Sequence, residues 1–144
     1  MERQGGGRPE VHEFSLVQGI IDAMQETANQ KGGKVLSFEV RVGELSQFDI
    51  RLMRELLKEL KAGTPLEGAK VSVRPEKSKI RCVSCGKVWG FSDVIRPMSG
   101  DEREVVHFFP ELMNSYTRCP SCSKSYLEIE EGRSVRIASV SLDV

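Results

Sequence analysis

Two cysteine pairs of the same spacing constrain the fold of this chain more than any other feature of its sequence. The pairs contain all of its cysteines: Cys82 and Cys85, Cys119 and Cys122. A gap of two residues lets a tight turn aim both sulfurs at one ion about 2.3 Å away, and two such turns complete a tetrahedral Zn²⁺ site. The spacing therefore predicts a four-cysteine zinc site, and in a reducing compartment it favours metal over disulfides.

The predicted zinc site is closed. Four thiolates fill a tetrahedral shell and leave no position for water or substrate, which favours a structural role over hydrolysis. A redox-active CxxC motif is the alternative, but that motif normally stands once, at the start of a helix in a βα unit. Neither pair here precedes a strong helical pattern, so we prefer the structural interpretation.

Two amphipathic helices are predicted before the first cysteine pair. Apolar residues recur at helical spacing over residues 14–30, and a second apolar stripe follows over residues 49–62. Asp49 is a plausible N-cap of the second helix, and Gly63 is a stop signal at its end. The first residues of the chain, 1–10, are polar and glycine-rich, which is typical of a flexible tail.

Three strands are predicted around these helices. Residues 36–42 alternate apolar and polar side chains, and a short strand over residues 71–75 ends at its proline. The final strand, residues 134–144, has apolar residues that change from odd to even positions. Because side chains alternate faces with period two, a bulge or a strand break is needed near Ile137 and Ala138.

The order of these elements predicts an α+β fold. Two helices cover one face of a three-stranded sheet formed by residues 11–78 plus 132–144. Because these elements lie on both sides of the cysteine pairs in sequence, residues 79–131 form an inserted, zinc-ribbon-like module. Apolar residues near the cysteines, among them Trp89, Phe109 and Tyr126, are interpreted as the small core of this module, although aromatic side chains can also stack on bases.

Charge and hydropathy exclude several classes of function. Lysine plus arginine (21) equals aspartate plus glutamate (21), so no overall positive field favours nucleic acid or an acidic membrane. No apolar run approaches the roughly 20 residues of a membrane span, and the opening residues lack the apolar stretch of a secretion signal. The cytoplasm is the expected location.

Composition and cysteine spacing leave two classes of function to consider, a binding module and a metalloenzyme. A zinc-ribbon module that binds nucleic acid or protein would use a loose basic cluster, Lys77, Lys79, Arg81 and Lys87, but acidic residues at 128–131 oppose it. A metalloenzyme would need an open metal position or an acid–base arrangement, and neither histidine stands in one. We therefore expect that the protein is not an enzyme.

Only two histidines are present, His12 and His107. By itself, a histidine just before a helix is more often a surface or capping residue than a metal ligand. The surrounding sequence changes that assessment, because three features occur in order: Val11-His12-Glu13-Phe14-Ser15-Leu16, then Val42-Gly43-Glu44-Leu45-Ser46, then the two cysteine pairs. Over residues 11–144 the chain resembles the HypA family of hydrogenase-maturation nickel metallochaperones.

The resemblance implies that His12 binds Ni(II) as cargo, together with nearby N-terminal groups, while Zn(II) on the four cysteines is structural. Glu13 is a candidate further ligand; the simpler interpretation is a favourable interaction with the helix dipole. The segment His107-Phe108-Phe109-Pro110-Glu111 resembles one found in the long spacer of archaeal-type members. His107 is thus a candidate additional or transfer ligand, and a surface histidine is an equally good interpretation.

The resemblance also implies partners. They are a HypB-type nucleotidase and the large subunit of a [NiFe]-hydrogenase, and the domain of residues 11–78 plus 132–144 becomes the nickel-binding one. Urease is a second conceivable client, which the resemblance favours less than hydrogenase.

The chain departs from the family pattern at its start. Family members begin Met-His-Glu, whereas ten residues precede Val11 here. An N-terminal amine, the next amide and the imidazole together supply the tetragonal nitrogen donors that Ni²⁺ accepts, and no amine adjoins His12 in this chain. One hypothesis is that residue 11 is the true start, because a GUG valine codon can initiate as methionine.

Overall fold

The computed structural model describes residues 9–144, with side chains from residue 12 onward. Most of the predicted tail, residues 1–8, lies outside the described residues. The helices are α1 (Pro9–Lys31), α2 (Ile50–Lys61), α3 (Phe91–Ile95), α4 (Gly100–Phe108) and α5 (Met113–Tyr116). The strands are β1 (Lys34–Gly43), β2 (Lys70–Glu76), β3 (Lys79–Cys82), β4 (Val88–Gly90), β5 (Leu127–Glu131) and β6 (Val135–Asp143).

These elements belong to two compact units. The first unit contains residues 9–42 with Phe48–Arg74 and Arg136–Val144, and the second contains Gly43–Gln47 with Pro75–Val135. The first is the predicted α+β arrangement of two helices and a three-stranded sheet, with strand order β2-β1-β6. None of the described helices is both long enough and apolar enough to cross a membrane.

Helix α1 begins earlier than predicted. Its first residue is Pro9, so residues 9 and 10 of the predicted tail are helical. The prediction relied on apolar periodicity, which starts only at Val11. The missed signal is the proline itself, because proline has no N–H and a fixed φ that suits the first helical position. The inward face of α1 is apolar and buried at Val17, Ile20, Ile21 and Met24.

Helix α2 confirms the predicted boundaries to within one residue. The side chain of Asp49 accepts a hydrogen bond from Leu52 N at 3.2 Å, as expected of an N-cap. Met53 and Leu57 are buried on its inner face, and α2 packs against α1. Gly63 follows the helix with φ of 76°, a left-handed conformation that terminates it.

The sheet of the first unit shows the predicted alternation. In β1, Phe38, Val40 and Val42 are buried while the residues between them are partly exposed. The prediction for β2 was wrong by one residue, because this strand continues through Pro75 to Glu76. As β2 is an edge strand, its proline does not remove a hydrogen bond from the interior of the sheet.

Strand β6 is continuous over Val135–Asp143, which excludes the predicted strand break. Ile137 and Ala138 are consecutive and both partly buried, as expected where the inward-facing residues change from odd to even positions. The bulge itself stays a prediction. Val140 and Val144 are exposed, so the even-numbered apolar residues at the end of the chain are less buried than expected.

The second unit is built on a second three-stranded sheet, with strand order β4-β3-β5. Both pairs are antiparallel, and Ile80 faces Trp89 on one side and Ile129 on the other. The buried core of this unit consists of aliphatic, aromatic and cysteine side chains: Leu45, Ile80, Cys82, Phe91, Val94, Met98, Val106, Met113, Cys119 and Leu127.

Two features of this unit differ from expectation. Helix α4 was not predicted, although Ser99 and Glu102 form a capping box at its start, a signal readable from the sequence. The segment after Pro110 was interpreted as packing, but only Met113 is buried there. Phe109, Leu112 and Tyr116 are exposed, because the segment folds as a 3-10 turn (Pro110–Leu112) and the single turn α5, which present one narrow face inward.

Candidate metal centres

The first cysteine pair forms a knuckle at the end of β3. Cys82 donates its N–H to Lys87 O at 2.9 Å, and Gly86 N donates to Cys82 O at 2.8 Å. Gly86 has φ of 81°, which a residue without Cβ adopts at no steric cost. The chain thus reverses immediately after Cys85, so that Cys82 and Cys85 face the same point.

The second pair repeats this knuckle. Cys119 N donates to Lys124 O at 2.9 Å, and Ser123 N donates to Cys119 O at 2.9 Å. Ser123 has φ of 64° and takes the place that Gly86 has in the first knuckle. The N–H groups of Ser121 and Cys122 also point to Cys119 Sγ, at 3.4 and 3.5 Å. Such bonds stabilise a thiolate and orient it toward a metal.

The two knuckles bring all four sulfurs together. Cys82 Sγ lies 3.5 Å from Cys122 Sγ, Cys85 Sγ lies 3.7 Å from Cys119 Sγ, and all four lie within 4.8 Å of one another. A tetrahedral zinc site with 2.3 Å bonds has sulfurs about 3.8 Å apart, so the residues fit zinc with small adjustments. Among the residues that the structure describes, no other histidine, cysteine, aspartate or glutamate cluster of three or more has metal-binding spacing.

The electrostatics of the cluster favour a bound cation. Burial raises the pKa of the Cys119 thiol, but hydrogen bonds from the backbone N–H groups of Cys122 and Ser121 outweigh it and lower the pKa to about 6. The backbone N–H of Lys124 lowers the pKa of the Cys122 thiol, yet burial and the adjacent thiols raise it to about 11. Because adjacent thiolates repel one another, a divalent cation is what allows all four to be ionised together.

The geometry assigns the zinc site a structural role. Four soft thiolates in a tetrahedral arrangement select zinc or an iron–sulfur cluster rather than the tetragonal nitrogen and oxygen shell that Ni²⁺ prefers. Cys82 and Cys119 are buried and belong to the core of the second unit. When bound, zinc holds the knuckle after β3 against the knuckle before β5.

His12 and Glu13 lie in the first turns of α1. The His12 side chain is exposed, whereas the adjacent Glu13 side chain is completely buried. Glu13 Oε2 accepts a hydrogen bond from Asp49 N at 2.7 Å, and its Oε1 is buried without a partner. The carboxylate of Glu13 therefore joins the start of α1 to the start of α2.

A signal for the burial of Glu13 was present in the sequence. Glu13 stands on the same helical stripe as Val17, Ile20 and Met24, at spacings of four, seven and eleven residues. The hydrogen bond to Asp49 had no local signal, because it joins residues 36 positions apart.

His107 lies in the last turn of α4, in the second unit, and its side chain is exposed. Its ring meets the ring of Phe108 edge to face, with centroids 6.1 Å apart. Its carbonyl accepts a hydrogen bond from Gln47 Nε2 at 2.7 Å. Gln47 has φ of 70°, unusual for a residue with a side chain, and sequence reasoning gave no indication of its role.

A known protein family matches nearly the whole chain. The profile of the family described as "Hydrogenase/urease nickel incorporation, metallochaperone, hypA" matches residues 11–142. The protein named hydrogenase maturation factor HypA of Pyrococcus horikoshii is 32% identical over 134 residues, covering 92% of this chain and 96% of the relative. The protein of the same name from Ignicoccus hospitalis is 33% identical over 125 residues, covering 85% and 89%.

Solved structures agree on the fold. The solution structure of the nickel metallochaperone HypA from Helicobacter pylori has a TM-score of 0.57 at 21% identity, covering 90% of this chain and 96% of that one. A second solution structure, of a HypA protein, has a TM-score of 0.63 at 21% identity, covering 92% and 96%.

Proposed function

The chain belongs to the HypA family of nickel metallochaperones that act in hydrogenase maturation, and from this membership we propose that the imidazole of His12 carries the nickel. The chemistry of the two sites is the main support for His12 as the nickel ligand. The four-cysteine site is closed and suits zinc, so the Ni²⁺ cargo needs donors elsewhere, and His12 is an exposed imidazole at the start of the family match.

We propose that Glu13 belongs to the same nickel site and positions the helical turn that bears His12. One of its carboxylate oxygens has no hydrogen-bond partner. Its Oε2 is engaged by Asp49 N, so only Oε1 is left for a metal. Because Oε1 is buried, direct ligation requires the first turn of α1 to open. Holding the turn that bears His12 is the role we propose, with ligation by Oε1 as the alternative that the experiment below separates.

His107 is proposed as a transfer ligand. It lies in the second unit and is exposed, and a single imidazole there binds Ni²⁺ weakly. Such a weak donor suits a step in which the ion leaves the protein for the next carrier.

The proposed partners follow from the same function. A HypB-type nucleotidase and the large subunit of a [NiFe]-hydrogenase would exchange nickel with this protein in the cytoplasm. The protein itself would act as a carrier and not as an enzyme, since its zinc shell leaves no coordination position for a substrate.

Ion pairing opposes the nucleic-acid alternative. Arg81 is held by Glu128 and Glu130, each at 3.1 Å, and Lys79 lies 3.9 Å from Glu131. Two of the four residues in the loose basic cluster are therefore paired with carboxylates of β5, which reduces the charge left for phosphates.

Nickel titration of zinc-loaded protein tests the proposal. We expect His12→Ala to weaken nickel binding while zinc content and helicity are unchanged. Ser15→Ala, at an exposed position of the same helix, is the matched control and should bind as the parent does. Unchanged nickel affinity in His12→Ala would reject His12 as the ligand.

Two further variants of the protein identify which groups bind nickel. Glu13→Gln keeps an acceptor for Asp49 N, so nickel affinity should be retained if Glu13 only positions the turn and should fall if Glu13 ligates. A version in which methionine replaces Val11 and residues 1–10 are removed places an amine beside His12. We expect it to bind nickel at least about tenfold more tightly than the full chain, with a spectrum of tetragonal nitrogen coordination.

A further inference from the structure

The four cysteines differ in how far they are open to solvent. Cys82 and Cys119 are buried, with 0% and 2% of their surface exposed, and Cys122 is partly buried. Cys85 is exposed, and so are all the residues around it over positions 83–88. An oxidant in solution therefore reaches the sulfur of Cys85 more readily than the other three.

Hydrogen bonds to sulfur increase this difference. The N–H groups of Ser121 and Cys122 point to Cys119 Sγ, at 3.4 and 3.5 Å. Cys85 Sγ contacts Cys119 Sγ, and no main-chain N–H donates to it among the residues that the structure describes. Because N–H donors withdraw electron density from a thiolate and make it a poorer nucleophile, Cys85 is expected to react with an oxidant faster than Cys119.

Two short distances between sulfurs join one knuckle to the other. Cys85 Sγ lies 3.7 Å from Cys119 Sγ, and Cys82 Sγ lies 3.5 Å from Cys122 Sγ. The exposed sulfur thus has a buried sulfur of the other cysteine pair in contact with it. An accessible cysteine beside a second thiol that can form a disulfide with it is the arrangement found in reversible redox sensors.

We propose that the zinc site is a peroxide-sensitive switch in which Cys85 is oxidised first and Cys119 then forms a disulfide with it. The Cys85 thiolate attacks hydrogen peroxide, the O–O bond breaks and hydroxide departs, which gives a sulfenic acid on Cys85. The Cys119 thiolate then attacks that sulfur, the S–O bond breaks and a second hydroxide departs. The two electrons that reduce the peroxide come from the two sulfurs, so no further reactant is needed.

The disulfide removes two of the four zinc ligands. Cys82 and Cys122 remain, and two thiolates supply only half of a tetrahedral shell, so the ion is released. A dithiol reductant restores all four thiols and allows zinc to bind again, which makes the switch reversible. The pairing distinguishes the switch from a redox-active CxxC motif, in which Cys82 would be joined to Cys85.

Limiting hydrogen peroxide, applied to the full chain with zinc bound and no nickel, tests the proposal. We expect one zinc ion to reach a chromogenic chelator for each disulfide formed, and peptide mass analysis to identify that disulfide as Cys85–Cys119. When dimedone is present to trap sulfenic acid, its adduct should lie on Cys85. Adducts chiefly on Cys122, or a first disulfide between Cys82 and Cys85, would overturn the proposal.

Histidine substitutions separate the sensor thiol from the metal site. Cys85→His removes the exposed thiol and keeps three cysteines and a histidine, a ligand set that structural zinc sites use. We expect peroxide to release its zinc at least about tenfold more slowly than that of the parent. Cys122→His is the matched control, because it keeps Cys85 and Cys119 and should lose zinc at the parental rate.

Both histidine variants are compared at full zinc occupancy. Equal rates of zinc release from the two would exclude Cys85 as the sensor. If either variant binds no zinc, the position of the dimedone adduct in the parent decides, with Cys85 supporting the proposal and any other cysteine rejecting it.

Discussion

Gly86 and Ser123 occupy the same position in two copies of one knuckle, with φ of 81° and 64°. Each donates its N–H to the carbonyl of the first cysteine of its pair, at 2.8 and 2.9 Å. Only the first copy uses the residue that favours this left-handed conformation, so the second knuckle carries backbone strain that the first does not.

Exchanging the two residue types should therefore shift stability in opposite directions. Gly86→Ser introduces the strain without a clash, since nothing lies within 4 Å of an added Cβ, and should lower the free energy of unfolding by about 1–2 kcal/mol. Ser123→Gly should raise it by up to about 1 kcal/mol. Denaturant unfolding of the zinc-loaded protein measures both changes.

Gly100→Ser is a control for the glycine substitution, because Gly100 has open space around its Cβ position and begins a helix with ordinary φ. It should not lower the free energy of unfolding as Gly86→Ser does. Destabilisation of the protein by Ser123→Gly would show that the second knuckle is not strained.

Gln47 carries a similar strain beside His107. Its φ is 70°, and its side chain donates to His107 O at 2.7 Å. Gln47→Ala loses the hydrogen bond and keeps the strain, at a cost of about 1 kcal/mol, whereas Gln47→Gly loses the same bond but relieves a strain of similar size. We expect glycine to be the more stable of the two variants in denaturant unfolding, the reverse of the usual order for alanine and glycine.

Gln47→Asn tests the same point without removing the amide. Asparagine tolerates a left-handed conformation but is too short to span the same distance, so its stability should lie close to that of the glycine variant. An alanine variant that is as stable as the parent would mean that the bond to His107 contributes nothing.

Local signals in the sequence were sufficient for the zinc ligands and for α2. The spacing of the cysteine pairs predicts one tetrahedral site because the ligands of each pair are neighbours in the chain, and Asp49 and Gly63 delimit a helix by their own chemistry. The capping box at Ser99 and the proline at the start of α1 were equally local, and periodicity alone overlooked them.

Long-range contacts account for what the sequence could not predict. Leu45 is 4% exposed and lies in the core of the second unit, although it is only two residues beyond the end of β1. Its burial depends on pairing that brings Gly132 O to Leu45 N at 2.9 Å, and no pattern near residue 45 encodes that contact. The hydrogen bond from Asp49 N to Glu13 Oε2 likewise joins distant residues, whereas the inward position of Glu13 could be inferred from its helical stripe.

We expect Glu13 to stabilise the folded protein whether or not nickel is bound. Glu13→Ala removes the acceptor of Asp49 N and leaves space at a fully buried position, which should lower the free energy of unfolding by about 1–3 kcal/mol. Glu13→Gln restores an acceptor, and its amide can also donate, so most of that loss should be recovered. Thermal unfolding of both variants provides the comparison, and equal loss in both would show that the hydrogen bond to Asp49 is unimportant.

Zinc removal should unfold the second unit selectively. Its core contains Cys82 and Cys119. Removal of the cation leaves these two and the thiols of Cys85 and Cys122 close together with no metal to bind them. Because a structural metal supplies folding free energy directly, we expect chelation to abolish amide hydrogen-exchange protection at Ile80 and Leu127, while Val17 and Met53 of the first unit keep theirs. Cys85→Ser should have the same effect with zinc present, and Ser84→Ala, in the same knuckle, should not. Protection at Ile80 and Leu127 that survives chelation would show that the second unit folds without its metal.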